Sequence, residues 1–214
     1  MQRIKKILKK TILYNIFIRI RKIFATTWWA YEQFPVSPPD RVKSDVVKEY
    51  AQKFNIETFV ETGTYLGQMI DATKENFKEI VSIELDKNLF ERAKNRFSGY
   101  KNITILQGDS SELLPGYIQN IRKPILFWLD AHYSAGFTAK GKLNTPIMKE
   151  LESILIHPLN TEHVILIDDA RHFNGGDDYP TLHELRQLAM NINPNLILNV
   201  KDDIIRIHKK IPQK

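Results

Sequence analysis

Five apolar runs in this chain close with acids, and the first acid is followed by two glycines four residues apart. The stretch Phe59-Val60-Glu61-Thr62-Gly63-Thr64-Tyr65-Leu66-Gly67 reads as a strand, a tight turn and a helix start. Glycine in such a turn lets backbone N–H groups approach a ligand, and the helix N-terminus that follows favours polar or anionic ligand groups. This chemistry suits a nucleotide-like cofactor. The spacing E-x-G-x-x-x-G departs from the G-x-G-x-x-G of a dinucleotide pyrophosphate site, because Tyr65 stands where a middle glycine would be. Two glycines alone would also suit a turn that binds nothing. Glu84, which ends the run Ile80-Val81-Ser82-Ile83, lies about 20 residues beyond the turn, where an acid can bind ribose hydroxyls.

These acids need a scaffold that brings strand ends together. The runs 103–106 and 124–129 close with Gly108-Asp109-Ser110 and with Asp130, and the run 164–167 closes with Asp168-Asp169. Near-continuous apolar runs alternating with helix-length polar segments predict a parallel sheet covered on both faces, whose ligands bind beyond the carboxyl ends of the strands. One acid at a strand end is usually a helix cap; five aligned ends exceed what capping requires. After a Pro-rich linker, helices are expected over about 43–54, 67–77, 87–97, 111–121, 146–156 and 180–191, with Thr145 as N-cap and Pro146 as first helical residue. Strands are expected over about 57–61, 80–84, 103–107, 124–130 and 163–168, followed by a terminal hairpin.

With these motifs the chain resembles the class I S-adenosylmethionine-dependent methyltransferases over roughly residues 43 to 209. The carriers are the turn 61–67, Ser82-Ile83-Glu84-Leu85-Asp86, Gly108-Asp109-Ser110, Trp128-Leu129-Asp130-Ala131-His132 and Ile167-Asp168-Asp169-Ala170-Arg171. The resemblance implies an α/β, Rossmann-like, doubly wound and mostly parallel seven-stranded sheet with an antiparallel C-terminal hairpin strand. Leu196-Ile197-Leu198-Asn199-Val200, the Lys201-Asp202-Asp203 turn and Ile204-Ile205-Arg206-Ile207-His208 supply that hairpin. The resemblance also implies that Glu61, Gly63, Thr64, Tyr65 and Gly67 cradle the methionine part of the cofactor. Glu84 would hold its ribose and Asp109 with Ser110 its adenine, with Asp130 also at the cofactor. Tyr65-Leu66 replaces the more glycine-rich loop of many members.

In this fold the fourth and fifth strands are neighbours, so Asp130, Asp168 and Asp169 should converge. Such a cluster would repel itself unless a hard divalent cation, with magnesium as the default, relieved the strain. The arrangement looks like that of metal-dependent O-methyltransferases, including macrocin-type sugar methyltransferases, in which the ion binds the acceptor's hydroxyls. The competing reading makes Asp168 a helix cap and the enzyme metal-free, with Asp or His as base. Asp130, His132 and Asp168 are the catalytic candidates; His132 could take the acceptor proton or be an ordinary loop histidine. His132, Tyr133, Arg171 and His172 are candidates for acceptor binding, although basic loop residues are commonly solvated. The long segment 133–146 suits a loop at the site mouth that sets acceptor choice. Asp177-Asp178-Tyr179 reads as a surface loop, with closure over the acceptor as the alternative. His157, His163, His183 and His208 have no ligand spacing and read as structural.

The chain has 214 residues, no cysteine and a net charge of +6. It divides into an extension (1–34), the linker (35–42) and one domain (43–214), large enough to need no staples. Disulfides and thiolate metal sites are excluded, which agrees with a cytoplasmic location. Residues 1 to 24 hold eight Lys or Arg and no acid, leaving 23 basic against 25 acidic residues elsewhere. The domain is thus near neutral, and a nucleic-acid substrate loses its electrostatic support. The extension resembles an interfacial helix that could bind anionic lipid through residues 1–29 at the inner face of the membrane, although its apolar face drifts around the helix. Its apolar stretch, Thr11 to Ile18, is too short to span a bilayer. A partner-binding helix and a signal peptide are the other readings.

The combined expectation is methyl transfer from S-adenosylmethionine to an oxygen of a sugar or glycan precursor, with Mg2+ assisting the acceptor hydroxyl. An NAD-dependent or nucleotide-sugar oxidoreductase is the second reading, opposed by the absent middle glycine. A non-catalytic, membrane-associated scaffold is the third, opposed by three carboxylates that a scaffold does not need.

Overall fold

The computed structural model describes residues 16, 19–21, 23–27, 37–130 and 145–210. Seven strands form one sheet: β1 (Thr58–Thr62), β2 (Glu79–Glu84), β3 (Ile103–Gln107), β4 (Leu126–Leu129), β5 (Val164–Ile167), β6 (Leu196–Lys201) and β7 (Ile204–Lys209). Their order is β3-β2-β1-β4-β5-β7-β6. The first five run parallel, and β7 lies antiparallel between β5 and β6, with Ile165 opposite Ile207 and Leu198 opposite Ile207 on its other side. The expected hairpin is present; its second strand inserts into the sheet and leaves β6 at the edge.

The strands alternate with α1 (Asp40–Phe54), α2 (Gln68–Thr73), α3 (Lys87–Phe97), α4 (Ser110–Ile118), α5 (Ile147–Leu155) and α6 (Leu182–Ile192). The apolar runs form central strands because both their faces are covered. On one face Val60, Val81, Phe127 and Ile165 pack with Leu114 of α4, Leu151 of α5 and Leu185 of α6. On the other, Phe59, Ile80, Leu126 and Trp128 pack with Val47 of α1, Ile70 of α2 and Phe97 of α3. Every residue of β1, β4 and β5 is buried, and β4 and β5 accordingly read as unbroken apolar runs, not as alternating ones.

Boundaries differ from expectation at both ends of the helices. Helix α1 begins three residues early, at Asp40 directly after Pro39, which has no N–H to leave unsatisfied. Helix α2 ends at Thr73, four residues short. Pro146 stands at the N-cap of α5, not inside it, while Thr145 Oγ1 still accepts the Ile147 N–H at 3.3 Å. Among the described residues no helix is long and apolar enough to cross a membrane.

Candidate active site

The sheet delivers the acid-bearing strand ends to one edge, and backbone hydrogen bonds tie the turns beyond them together. The Gly63 N–H donates to Ile83 O at 2.9 Å, Gly108 to Glu84 O at 2.9 Å, Asp130 to Thr62 O at 3.1 Å and Asp168 to Leu129 O at 3.1 Å. Each of these turns is therefore anchored to the strand beside it.

The turn after β1 carries three positive backbone angles, φ 85° at Gly63, 47° at Tyr65 and 70° at Gly67. Tyr65 thus adopts the left-handed conformation that a glycine would take more cheaply, at a cost of roughly 1–2 kcal/mol. Glu84 shows what offsets it. One carboxylate oxygen accepts the Tyr65 N–H at 2.7 Å and the other the Asp86 N–H at 2.9 Å. Gly67 has a different reason to be glycine, since a Cβ there would lie 2.7 Å from Phe97 Cε2.

Glu61 is buried beneath this turn. Ser82 Oγ donates to it at 2.5 Å, and the Thr64 hydroxyl lies 2.6 Å from Ser82 Oγ. Burial pushes the Glu61 carboxyl up to about 8, with Asp130 and Glu84 raising it further and the Ser82 bond lowering it. Burial also raises Glu84, against the pull of the two amides it accepts. Asp109 caps α4, accepting from Ser111 N at 2.9 Å and Ser111 Oγ at 2.7 Å. Ser110, the first residue of α4, is buried beside it.

The ends of β4 and β5 bring Asp130, Asp168 and Asp169 together, one ligand atom from each lying within 4.8 Å of the others. Asp168 and Asp169 are buried, and Asp169 holds a left-handed φ of 57°. Among the described residues, Lys43 and Arg171 bring positive charge to the cluster. Lys43 of α1 bonds Asp168 and lies 3.9 Å from Asp169 Oδ1; Arg171 bonds Asp169 Oδ1 at 2.8 Å and also pairs with Asp203. Burial and the Asp130 charge push Asp168 upward, and Lys43 offsets part of that. Arg171 is consequently engaged by two carboxylates, while His172 packs its ring against Tyr179 at 5.6 Å. Asp168 Oδ1 accepts the Asp169 N–H at 2.9 Å, and Asp169, not Asp168, stands at the N-cap of the short 3-10 helix Ala170–His172.

His132 and Tyr133 lie outside the described residues, as do most of 1–29 and residues 133–144 of the mouth segment. Three participants were missed in the sequence. Lys43 lies 125 residues from Asp168 and nothing in its surroundings marks it. Tyr179 comes from the segment read as a surface loop; burial raises its phenol to about 12, with Asp169 and Asp130 also raising it. Glu150 of α5 is fully buried, and burial drives its carboxyl up to about 7. Thr62 and Ser110 lie near enough to lower that value, Asp109 and Asp130 raise it, and neither Glu150 oxygen makes a hydrogen bond within 3.5 Å. An acid among the buried apolar positions Ile147, Leu151, Ile154 and Leu155 of this helix was its only signal.

The scaffold is that of solved methyltransferases. A putative caffeoyl-CoA O-methyltransferase from Staphylococcus aureus superposes with a TM-score of 0.55 at 15% identity, over 92% of this chain and 98% of that one. The SAH-bound Podospora anserina methyltransferase PaMTH1 gives 0.54 at 18% identity, over 86% and 85%. The O-methyltransferase TomG from Streptomyces achromogenes, involved in tomaymycin synthesis and solved with SAM, gives 0.54 at 14% identity, over 86% and 86%. No protein-family model and no curated protein sequence matches the chain. At these identities the likeness is one of fold, a seven-stranded Rossmann-like methyltransferase sheet with an antiparallel C-terminal hairpin.

Proposed function

We propose that this protein transfers a methyl group from S-adenosylmethionine to a hydroxyl oxygen of a sugar or glycan precursor. The observation that carries the reading is the placement of two sites at one sheet edge, the Gly63–Gly67 turn braced by Glu84 and the Asp130/Asp168/Asp169 cluster beside it. Glu84 suits ribose hydroxyls. Glu61, buried and shared with Ser82 and Thr64, suits the cationic methionine end of the cofactor, and Asp109 with Ser110 suits adenine.

The donor set of the cluster, three carboxylates with ligand atoms within 4.8 Å, fits a hard divalent ion such as Mg2+. Asp130, Asp168 and Asp169 would hold it. When bound, such an ion lowers the pKa of an acceptor hydroxyl. The acceptor oxygen attacks the sulfonium methyl in line; the O–C bond forms as the C–S bond breaks, and the electron pair leaves with sulfur. The hydroxyl proton passes to a base, for which Asp130, Asp168 and His132 are the candidates. The chain's task is to hold the oxygen in line with the C–S bond. The sugar acceptor rests on the resemblance to macrocin-type enzymes.

Calorimetric titration of S-adenosylmethionine into the full chain, beside Glu84→Ala, tests the reading. Saturable micromolar binding lost in Glu84→Ala is expected. Binding of NAD with no binding of S-adenosylmethionine would overturn it in favour of an oxidoreductase.

We propose further that the extension rests on anionic lipid. Ile16, Ile20, Ile23 and Phe24 are exposed, and although the apolar positions of the whole extension drift, these four have the i, i+4, i+7, i+8 spacing that would share one side of a helix. Eight basic residues within 1–24 supply the charge complementarity. The full chain should float with phosphatidylserine vesicles and not with phosphatidylcholine alone, and Ile20→Asp with Phe24→Asp should abolish it. Equal partition of both proteins would sink the idea.

A further inference from the structure

The three carboxylates already hold a cation supplied by the chain itself. Lys43 sits in the first turn of α1, which packs against β4 and β5, so its side chain enters the cluster from the helix that covers those strand ends. Its Nζ bonds Asp168 Oδ2 and lies 3.9 Å from Asp169 Oδ1, and the charge of Asp130 also acts on it. The lysine side chain is 15% exposed and that of Asp168 is 1% exposed, so this pair is sheltered, unlike the surface pairs of α1 such as Arg41 with Asp45. A compact ammonium on a flexible stem can leave such a place without moving the backbone. Asp40 of the same turn is tethered to α2 through Gln68 Nε2 at 3.0 Å, so the helix need not move when the side chain does.

We propose that Lys43 is the resident counter-cation of the Asp130/Asp168/Asp169 site, and that a divalent ion enters by displacing its ammonium group. The inference rests on the metal part of the functional reading. A divalent ion on Asp168 meets a positive charge bonded to one of its ligands, and the repulsion is relieved when Lys43 swings to solvent. Lys43 therefore lowers the affinity of the site for metal while sparing the empty cluster its own repulsion.

The test is Mn2+ binding to the full-length protein, read from the electron paramagnetic resonance of free Mn2+, for wild type and Lys43→Met at pH 7.5. Lys43→Met is expected to bind at least tenfold more tightly. Affinities equal within twofold, or weaker binding by the variant, overturn the displacement while leaving the metal site standing. No binding by either protein at millimolar Mn2+ overturns both. Should Lys43→Met fail to fold, the wild type alone decides: in a 15N-lysine spectrum, saturating Mg2+ should move the Lys43 Nζ signal to the position of solvent-exposed lysines. An unmoved signal in the presence of bound Mg2+ overturns the proposal.

Discussion

The carboxylate of Glu84 accepts the backbone N–H of Tyr65 at 2.7 Å, so the acid that closes β2 also braces the turn that follows β1. Its second oxygen takes the Asp86 N–H at 2.9 Å, which fixes the chain entering α3. Replacing Glu84 by Gln presents an N–H to one of these donors and leaves a part-buried amide without its acceptor. Glu84→Gln should lose about 1–3 kcal/mol of stability. It should also weaken S-adenosylmethionine binding at least tenfold. Urea unfolding and calorimetry check both; unchanged stability would show that the turn does not depend on the carboxylate.

Glu61 binds its proton in the folded chain up to about pH 8, chiefly because it is buried. Cofactor binding next to it brings positive charge, which favours the ionised form and should expel the proton. Between about pH 6.5 and 8 the binding enthalpy should therefore depend on the ionisation enthalpy of the buffer, and affinity should rise with pH. Titrations in phosphate and Tris check this. Glu61→Gln should abolish the buffer dependence.

Gly67 pairs a φ of 70° with a Cβ position 2.7 Å from Phe97 Cε2 and 3.0 Å from its Cζ. Gly67→Ala must displace a buried aromatic ring and strain the backbone. A loss of about 1–3 kcal/mol is expected. Gly99→Ala, where a Cβ meets nothing within 4 Å, is the control and should lose far less. Equal effects of the two substitutions would mean that the turn repacks freely.

His163 Nδ1 accepts the Ile125 N–H at 3.1 Å, and its Nε2 lies 2.9 Å from His157 Nδ1, so His163 is the donor of the pair. Burial, and then His157, lower its pKa to about 4. A histidine with a depressed folded value binds fewer protons than its unfolded counterpart. Its contribution is thus complete above the unfolded pKa near 6.5 and is lost as pH falls toward 4, by up to about 3 kcal/mol. Glu61 and Glu150, whose values are raised, act in the opposite direction, being most favourable to the fold below their unfolded value and losing that as pH rises toward about 8 and 7. The variant His163→Gln, which keeps an acceptor and a donor without titrating, isolates the histidine part. Its stability relative to wild type should improve between pH 6.5 and 4 in urea titrations, and a constant difference would refute the assignment.

Much of this molecule was legible in the chain because its central strands are buried on both faces. Val164 to Ile167 has to be apolar throughout, and such a run is visible without a structure. The acids at strand ends were visible for the same reason, since each interrupts a run that burial would otherwise continue. Lys43 and Glu150 gave no such signal: one is a lysine among the polar residues of a helix start, the other is one of two acids in a short helix, and each matters only for what faces it. Tyr65 misled in a different way. A tyrosine where glycine is expected weakens the motif on paper, yet Glu84 holds its amide and the left-handed turn forms.

Local chemistry in the sequence by itself determined the strands, the acid that ends each and the glycine turn, since apolar runs and backbone permissiveness are properties of neighbouring residues. The tertiary structure decided the partnerships. Strand β7 enters between β5 and β6, Lys43 crosses 125 residues to reach Asp168, and Asp130 meets Asp168 because β4 lies beside β5. These contacts depend on how separate segments stack, and hydrophobic packing is non-directional, so only the assembled sheet selects which charges share a pocket.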